Sequence, residues 1–217
     1  MLKRVTFLAA VLAAVLVLPL TAVRPFAQAG AQAPADPNAW QIDTAHSAAN
    51  FAVKHMLVST VRGTLGAMKG TVWYDGKNVS TVRADVSIDV NGIDTDNANR
   101  DTHLKSADFF DAPNHPTITF KSTRAQAGTG GAFKLIGNLT MRGVTKEVTL
   151  DVEAPAPVVT QPGRDGGAPT YRTGASATTT LNRFDYGLKW NSLIEAGGGA
   201  VVGADVKVTL DLELTKR

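Results

Sequence analysis

The feature that most constrains the fold is a strict alternation of apolar and polar residues over residues 205–214. Every second residue there is valine or leucine, and aspartate, lysine, threonine or glutamate lies between them. Side chains that alternate in this way point to opposite faces of a β-strand, whereas an α-helix would spread them around its whole surface. The segment therefore predicts a long strand with one buried face and one solvated face.

The same period recurs along much of the chain. Clear strands are predicted at residues 82–90 and 147–152, and turn sequences such as Asp75-Gly76 and Arg142-Gly143 lie between strands. Weaker strands are predicted at residues 51–55, 68–74, 117–122, 133–141 and 175–181. Regularly spaced, half-solvated strands are typical of an antiparallel meander. Periodicity alone does not distinguish a closed barrel from a sandwich of two sheets.

Residues 94–110 depart from this alternation. The segment begins with the candidate capping residues Thr95, Asp96 and Asn97, preceded by Asp94, and ends with Phe109 and Phe110. Aspartate is a common capping residue and is favourable at the positive end of a helix, so the segment predicts a short capped helix. The two phenylalanines need an apolar surface, and we expect them to cover one end of a barrel.

The first residues resemble a secretory signal peptide. Lys3 and Arg4 precede an uncharged apolar run that ends at Pro19. That run is shorter than the roughly 20 apolar residues that a membrane-spanning helix needs. We therefore predict a signal peptide at residues 1–29, a flexible leader at 30–39 and one domain at 40–217, with export of the mature chain.

Composition excludes several classes of function. Without Lys3, Arg4 and Arg24 the mature chain keeps 19 of its 22 basic residues against 19 acidic ones, so we expect no nucleic-acid binding. The chain has no cysteine, which excludes disulfides and thiolate chemistry.

The four histidines form no His-x-x-x-His pair and have no acidic residue at metal-ligand spacing, so no metal site is expected. No serine-nucleophile signature is present, and no catalytic residue is predicted.

The predicted inward faces mix aliphatic residues with small ones, which can leave a cavity. Barrels of about eight strands are either filled by side chains or hold one ligand. A packed sandwich without a ligand remains the alternative at this stage. The small residues on these faces are Gly70, Ala84, Gly137, Ala175 and Ala177.

Ordered sequence blocks point to a known family. They are Trp40-x-Ile42-Asp43 with His46-Ser47, Phe51-x-Val53-Lys54-His55, Arg100-Asp101-x-His103-Leu104 with Asp108-Phe109-Phe110-Asp111, Pro116-x-x-x-Phe120-x-Ser122, Gly137-x-Leu139-Thr140-x-Arg142-Gly143-Val144-Thr145-Lys146 and Asn182-Arg183-x-Asp185-Tyr186-Gly187. Through these blocks the chain resembles the YceI-like proteins over nearly all of its mature part.

The resemblance implies an all-β fold, an extended antiparallel lipocalin-like barrel of about eight strands with a short helix near its mouth. It also implies a periplasmic location and an interior that binds a polyisoprenoid or an isoprenoid quinone-like lipid, with no catalytic cofactor. We expect the lipid to contact Phe51, Val53, His55, Met68, Val72, Tyr74, Val86, Ile88, Phe110, Ile118, Phe120, Leu139 and Met141.

The expected function is to bind, carry or store this lipid, and two alternatives remain. One is an exported hydrolase that acts on a lipid precursor, and the other is a stress-related structural protein with a permanently bound lipid. His55, Arg100 and His103 are candidates for contact with a lipid head group. Transient membrane contact is compatible with such a protein, which is expected to be a monomer or a homodimer.

Overall fold

The computed structural model describes residues 36–163, 166–192 and 200–216. The predicted signal peptide and most of the predicted leader lie outside the described residues. The α-helix is α1 (Ala98–Lys105), and the strands are β1 (Ala39–Ile42), β2 (Ala48–His55), β3 (Ser59–Thr64), β4 (Met68–Trp73), β5 (Arg83–Asp89), β6 (Thr117–Ala127), β7 (Phe133–Met141), β8 (Val144–Val152), β9 (Val159–Gln161), β10 (Thr170–Asn182) and β11 (Val202–Lys216). No helix in this part of the chain is long and apolar enough to cross a membrane.

The strands form an antiparallel sheet that closes on itself. Its order around the ring is β11, β1, β4, β5, β6, β7, β8 and β10, and the long pairing of β10 with β11 closes it. β2 continues along the same edge of β11 beyond β1, and β3 pairs with β2. The short strand β9 pairs with the beginning of β10. The predicted all-β, eight-stranded antiparallel barrel with one short helix is confirmed.

Alternation decides which side chains fill the barrel. β7 has the bounds that its sequence pattern predicts, and its alternate residues Phe133, Leu135, Leu139 and Met141 point inward. β11 likewise points its valines and leucines inward, while Asp211 on the outer face accepts a hydrogen bond from Ser176 at 2.8 Å. A shift of either strand by one residue would move its apolar side chains into water and its polar ones into the barrel, so such a shift would be costly.

β6 contains a β-bulge at Thr123. Ser122 lies opposite Gly137, but Arg124 lies opposite Ile136, so Thr123 is an extra residue. Before the bulge the even-numbered residues point into the barrel, and after it the odd-numbered ones do. Arg124 therefore lies outside, with its guanidinium 3.0 Å from the Glu147 carboxylate.

The helix is shorter than predicted. Asn97 caps it, because its side chain accepts a hydrogen bond from the Arg100 amide at 3.0 Å. The prediction that Asp94 and Asp96 cap the helix is wrong: Asp94 accepts from the amide of Asp96 at 2.8 Å, and Asp96 has a left-handed φ of 60°. A left-handed residue cannot belong to a right-handed helix, so the helix begins after it.

The C-terminal end of α1 also falls earlier than predicted. Ser106 has an extended backbone, and its hydroxyl donates to the His103 carbonyl at 2.7 Å, which ends the helix. Phe109 and Phe110 consequently lie in the turns after the helix.

Three short strands were not predicted. β1 lies between β11 and β4 in the ring, and β3 pairs with β2. β9 lies within the proline-rich and glycine-rich loop that follows β8. All three have six residues or fewer, which is too short for a reliable period.

Candidate functional site

The barrel encloses an apolar cavity of about 200 Å³. Its wall consists of the inward side chains of the barrel strands, almost all of them aliphatic or aromatic. An apolar cavity of about 150 Å³ holds benzene, whereas pockets for drug-sized ligands are about 300–1,000 Å³. The cavity therefore suits a narrow chain, and a long chain requires some wall side chains to change rotamer.

The structure brings together most of the residues predicted to contact a ligand. Twelve of the thirteen line the cavity: Phe51, Val53, Met68, Val72, Tyr74, Val86, Ile88, Phe110, Ile118, Phe120, Leu139 and Met141. Their contact with a ligand stays a prediction.

His55 is the exception. It is in phase with Phe51 and Val53 but is the last residue of β2, where it pairs with Ser59 and Val202. It is partly exposed and is not among the residues that line the cavity. The alternation continues to the end of the strand, but the β2–β11 register shifts just before this point, and the paired Val202 lines the cavity where His55 does not.

The other two head-group candidates are engaged elsewhere. Arg100 donates from Nε to the Thr95 hydroxyl at 2.7 Å and from a terminal nitrogen to the Thr95 carbonyl at 2.8 Å. His103 lies with Nε2 2.9 Å from an Asp108 carboxylate oxygen. Both residues stabilise the α1 region, and neither lines the cavity.

Aromatic rings close the end of the barrel next to α1, which we call the helix end. The His103 ring packs edge-on against Phe109 and Trp190, with centroid distances of 5.0 and 4.9 Å. Phe109 and Phe110 both line the cavity, as expected of a pair that covers one end. Tyr74 and Val82 line the cavity near the opposite end, where β4 ends and β5 begins.

Arg183 fixes the chain after β10 at the helix end. It is buried, and it donates to the carbonyls of Gly203 at 2.9 Å, Trp190 at 2.8 Å and Val202 at 3.1 Å, and also to that of Leu188. Burial lowers the pKa of this guanidinium. Four of its five N–H groups are thus bonded to main-chain oxygens.

Tyr186 is the unusual polar residue of the wall. Its side chain is 2% exposed and lines the cavity. In the described part of the chain, its hydroxyl is the only buried side-chain polar atom that has no hydrogen-bond partner. Burial, followed by the charge of Asp185, raises its pKa to about 12. Leaving a hydroxyl buried and unpaired costs about 1–3 kcal/mol.

Sequence reasoning missed Arg183, Tyr186 and Leu188 as wall residues, because they lie in a 3-10 turn and the segment after it, where no period exists. It also named none of the inward residues of β11 as contacts, although the alternation that predicted the strand would have identified them. These are Val206, Val208, Leu210, Leu212 and Leu214.

The expectation that no acidic residue lies at metal-ligand spacing beside a histidine is wrong for His46. Asp43 and Glu213 lie beside His46, with His46 Nδ1 3.1 Å from the Asp43 carboxylate and 4.0 Å from that of Glu213. These are the residue types that bind metal ions. However, Arg172 bonds both carboxylates and balances much of their charge. Hydrogen bonds from His46 and then Arg172 lower the pKa of Asp43 to about 2.

Comparisons with known proteins agree with this architecture. The sequence profile of the YceI-like domain matches residues 40–214. A UPF0312 protein of Staphylococcus aureus is 36% identical over 173 residues, which are 80% of this chain and 95% of that protein.

Two solved structures share the fold. The YCEI protein of Campylobacter jejuni matches with a TM-score of 0.60 and 26% identity, over 76% of this chain and 90% of that one. A polyisoprenoid binding domain from Saccharophagus degradans, implicated in plant cell wall breakdown, matches with a TM-score of 0.56 and 16% identity, over 82% of this chain and 98% of that one.

Proposed function

The chain belongs to the YceI-like family, and we propose from this premise that it binds a long-chain polyisoprenoid or similar amphiphilic lipid inside its barrel. The observation that carries the proposal is the apolar cavity of about 200 Å³ within a closed barrel. A domain of the same fold from Saccharophagus degradans is a polyisoprenoid binding domain. The proposed role is to carry or store this lipid.

Apolar burial supplies the affinity in this proposal. Each buried CH₂ group contributes about 0.8 kcal/mol, so a five-carbon unit contributes on the order of 2–4 kcal/mol before ordering costs. Met68 and Met141 on the wall are unbranched and flexible, and they allow the cavity to adapt to a chain. Several units together outweigh a single polar contact.

The wall chemistry favours binding over catalysis. Among the described residues that line the cavity there is no carboxylate, histidine, serine, lysine or cysteine. General acid–base and nucleophilic catalysis depend mainly on such groups. The wall does contain tyrosines and threonines (Tyr74, Tyr186, Thr173 and Thr179), but it offers no carboxylate or histidine to activate them. The alternative of a hydrolase would therefore need its reacting groups elsewhere.

A matched pair of variants on β10 tests the proposal. Ala177 is buried and lines the cavity, whereas its neighbour Thr178 is not among the wall residues and points outward. Ala177→Phe fills the cavity, so we expect at least a tenfold loss of bound lipid, measured by solvent extraction and mass spectrometry of the purified protein. Thr178→Phe should retain lipid as the native chain does.

Thermal unfolding shows whether each variant is folded, and Ala175→Leu is a milder filling variant if Ala177→Phe is not. Lipid retained in a folded cavity-filled variant, or none in the native protein, would contradict the proposal. Exchange of the lipid with liposomes would separate a carrier from a structural protein with a permanent lipid.

We also propose transient membrane contact through the β2–β3 turn. Leu57 is 71% exposed and Val58 is 87% exposed, next to the partly exposed Met56. Met56 and Leu57 also have left-handed φ values of 51° and 61°, a conformation that costs a non-glycine residue about 1–3 kcal/mol. An apolar, strained turn beside the helix end is suited to entering a lipid surface near the cavity.

Leu57→Ser with Val58→Ser should reduce co-sedimentation with liposomes at least tenfold, because each buried aliphatic side chain contributes about 1.5–3 kcal/mol. The control is Val158→Ser with Val159→Ser, which removes exposed apolar residues near β9. Equal binding by both double variants would contradict this contact.

Export to the periplasm is a further proposal, supported by the signal-peptide pattern at residues 1–29. Cell fractionation and N-terminal sequencing of the mature chain test it. An uncleaved chain in the cytoplasm would contradict it.

A further inference from the structure

One junction in the wall of the barrel is only partly closed by main-chain hydrogen bonds. β8 and β10 are neighbours in the ring, but they pair only at Val152 with Ala177 and at Asp151 with Thr178. Both strands continue beyond this point, since β8 pairs with β7 at nine positions and β10 pairs with β11 at twelve. We call the residues that remain unpaired at this junction, 147–150 of β8 and 179–182 of β10, the seam.

The main chain along the seam lacks a partner strand. The Ser176 carbonyl accepts from the Glu153 amide at 2.9 Å, so the even-numbered residues of β10 direct their main-chain groups toward β8. Thr180 is the next such residue after Thr178, and Thr149 is its counterpart if the register continues. Both are exposed, and no main-chain hydrogen bond joins them in the described chain. Each strand therefore presents an unpaired edge to solvent here.

Side chains, and not a ladder of hydrogen bonds, separate the cavity from the outside along the seam. The inward residues Val148 and Leu150 of β8 line the cavity, as do Thr179 and Leu181 of β10. Three of these four side chains belong to partly exposed residues. An opening here needs the two strands to move apart, but it breaks no ladder hydrogen bond. Four residues of a strand span about 13 Å, which is long enough for a stretch of hydrocarbon chain to pass sideways.

One arginine clamps the seam at the helix end. The 3-10 turn Arg183–Tyr186 follows β10 and contacts β8, so it covers this end of the seam. Arg142, in the β7–β8 turn, donates to the Gly187 carbonyl on the other side, the only hydrogen bond that joins residues 142–150 to residues 179–190 in the described chain. The bonds of Arg183 lead instead to its own segment and to β11. The turn can therefore stay attached to β10 and β11 while β8 moves away.

The other incomplete junctions of the barrel are held by additional main-chain bonds. β1 has only two pairs with β11, but β2 continues along the same edge with seven. β3 forms no ladder with β4, but there the main chains of Thr64 and Asp94 exchange two hydrogen bonds of 2.8 and 3.2 Å. The seam is thus the junction that can open with the smallest loss of main-chain hydrogen bonds.

We propose that the lipid enters and leaves the barrel sideways through the seam, which opens when Arg142 releases Gly187 and β8 moves away from β10. This inference rests on the proposed lipid-binding function and adds to it the route of the ligand. A sideways route lets the polar end of an amphiphile stay in water or at a membrane surface while its chain slides into the cavity. No polar group then has to cross the apolar lumen, which would be costly.

A crosslink across the seam tests this route. Because the chain has no cysteine, thiols can be introduced at chosen positions. Thr149→Cys with Thr180→Cys places two thiols on the outer edges of the seam, and a short bis-maleimide joins them. Thr180→Cys with Lys207→Cys, joined by the same reagent, is the matched control, since Thr180 and Lys207 are partners in the intact β10–β11 ladder.

The proteins are loaded with radiolabelled farnesol before crosslinking, and its transfer to phosphatidylcholine liposomes is timed. We expect the crosslink across the seam to slow transfer at least tenfold. The control crosslink should leave transfer at the native rate. Mass spectrometry shows that each crosslink has formed, and thermal unfolding shows that each protein is folded.

Release of the clamp is a second test, which needs no crosslink. Arg142→Asn removes the bond to Gly187 and should speed transfer of farnesol several-fold. Arg172→Met is the control, because Arg172 holds β10 to Asp43 and Glu213, away from the seam, and its loss should leave the rate unchanged.

The outcomes separate the two proposals. If the native protein does not take up farnesol, lipid binding itself fails. If it binds farnesol but never releases it, or if the protein crosslinked at the seam releases it at the native rate, binding stands and the route is overturned. Equal slowing by both crosslinks would also overturn the route. If the seam crosslink does not form, an unchanged rate in Arg142→Asn overturns it.

Discussion

Two arginines hold the barrel together in different ways. Arg183 is buried at the helix end and binds main-chain carbonyls. Arg172 lies near the opposite end on the outer face, with its side chain 33% exposed, and binds the carboxylates of Asp43 and Glu213. The first joins the chain after β10 to the beginning of β11, and the second joins β10 to the end of β11 and to the turn after β1.

The difference lies in what each arginine binds. A main-chain carbonyl neither titrates nor carries a net charge, so the bonds of Arg183 are insensitive to mild acid and are shielded from salt by burial. A carboxylate can be protonated, and an exposed ion pair is screened by dissolved salt. The helix end, where the cavity is closed, therefore has the attachment that depends less on solution conditions.

The largest expected effect is that of Arg183→Met. It removes the donor from four buried or partly buried carbonyls, of which that of Val202 keeps a hydrogen bond from Asn191 at 2.9 Å, and we expect a loss of about 3 kcal/mol or more in the free energy of unfolding, measured by urea denaturation. The free energy of unfolding of Arg183→Lys should lie between those of native protein and Arg183→Met, because an ammonium group has only three donors. A loss of less than about 1 kcal/mol would mean that water replaces the guanidinium and would remove the contrast with Arg172.

A smaller effect is expected at Arg142, which also binds carbonyls at the helix end. It donates to the Ala107 carbonyl at 2.7 Å and to that of Gly187, and its φ is 50° in the β7–β8 turn. Arg142→Asn keeps a residue that tolerates this φ but removes the donors, so we expect a loss of about 1–2 kcal/mol. Arg142→Gly is the control for the backbone.

Thermal unfolding measures both Arg142 variants. Equal losses in the two would assign the effect to the guanidinium. Recovery of stability in Arg142→Gly alone would assign it to backbone strain.

The smallest effect is expected at the partly exposed cluster around Arg172, Asp43 and Glu213. Asp43 has its pKa lowered to about 2 by His46 and then Arg172, so its stabilising contribution is present above its usual pKa of 3.8 and is lost as the pH falls from about 4 toward 2. The unfolding temperature of native protein should therefore fall more over this interval than that of Asp43→Asn.

Sodium chloride at high concentration should reduce the difference between these two proteins, and Arg172→Met should reduce it as well. If the unfolding temperatures of native protein and Asp43→Asn fall equally with pH, the Asp43 carboxylate does not make the two ends of the barrel differ in their response to acid.

The strands and most of the cavity wall could be predicted because both follow from side-chain alternation. Phe133–Met141 has its predicted bounds, and the inward residues of that strand line the cavity. Alternation could not show that the sheet closes, since a sandwich produces the same pattern, and the closed barrel was an expectation from family resemblance. Closure depends on the pairing of β10 with β11, which no local pattern encodes.

The parts that were missed depend on contacts between distant segments. Asp43 and His46 are three residues apart, but Glu213 meets them only because β1 pairs with the end of β11. The unpaired state of Tyr186 reflects everything packed around it, so no spacing in the sequence could indicate it. His55 was misplaced for the opposite reason, because a local period was extended across an irregularity in the pairing of β2 with β11.

The extra residue at Thr123 sets the parity of the second half of β6. If Thr123 were instead a regular strand residue, Arg124 would take the inward position that follows Phe120 and Ser122, and Ala125 would face water. A regular strand through the same residues would thus exchange the inner and outer side chains of everything after Thr123 and would place a guanidinium inside the barrel. Deleting Thr123 would keep the present arrangement, because Arg124 would then follow the inward Ser122 directly and stay outside. The bulge at this one residue therefore keeps the second half of the β6 wall free of charge.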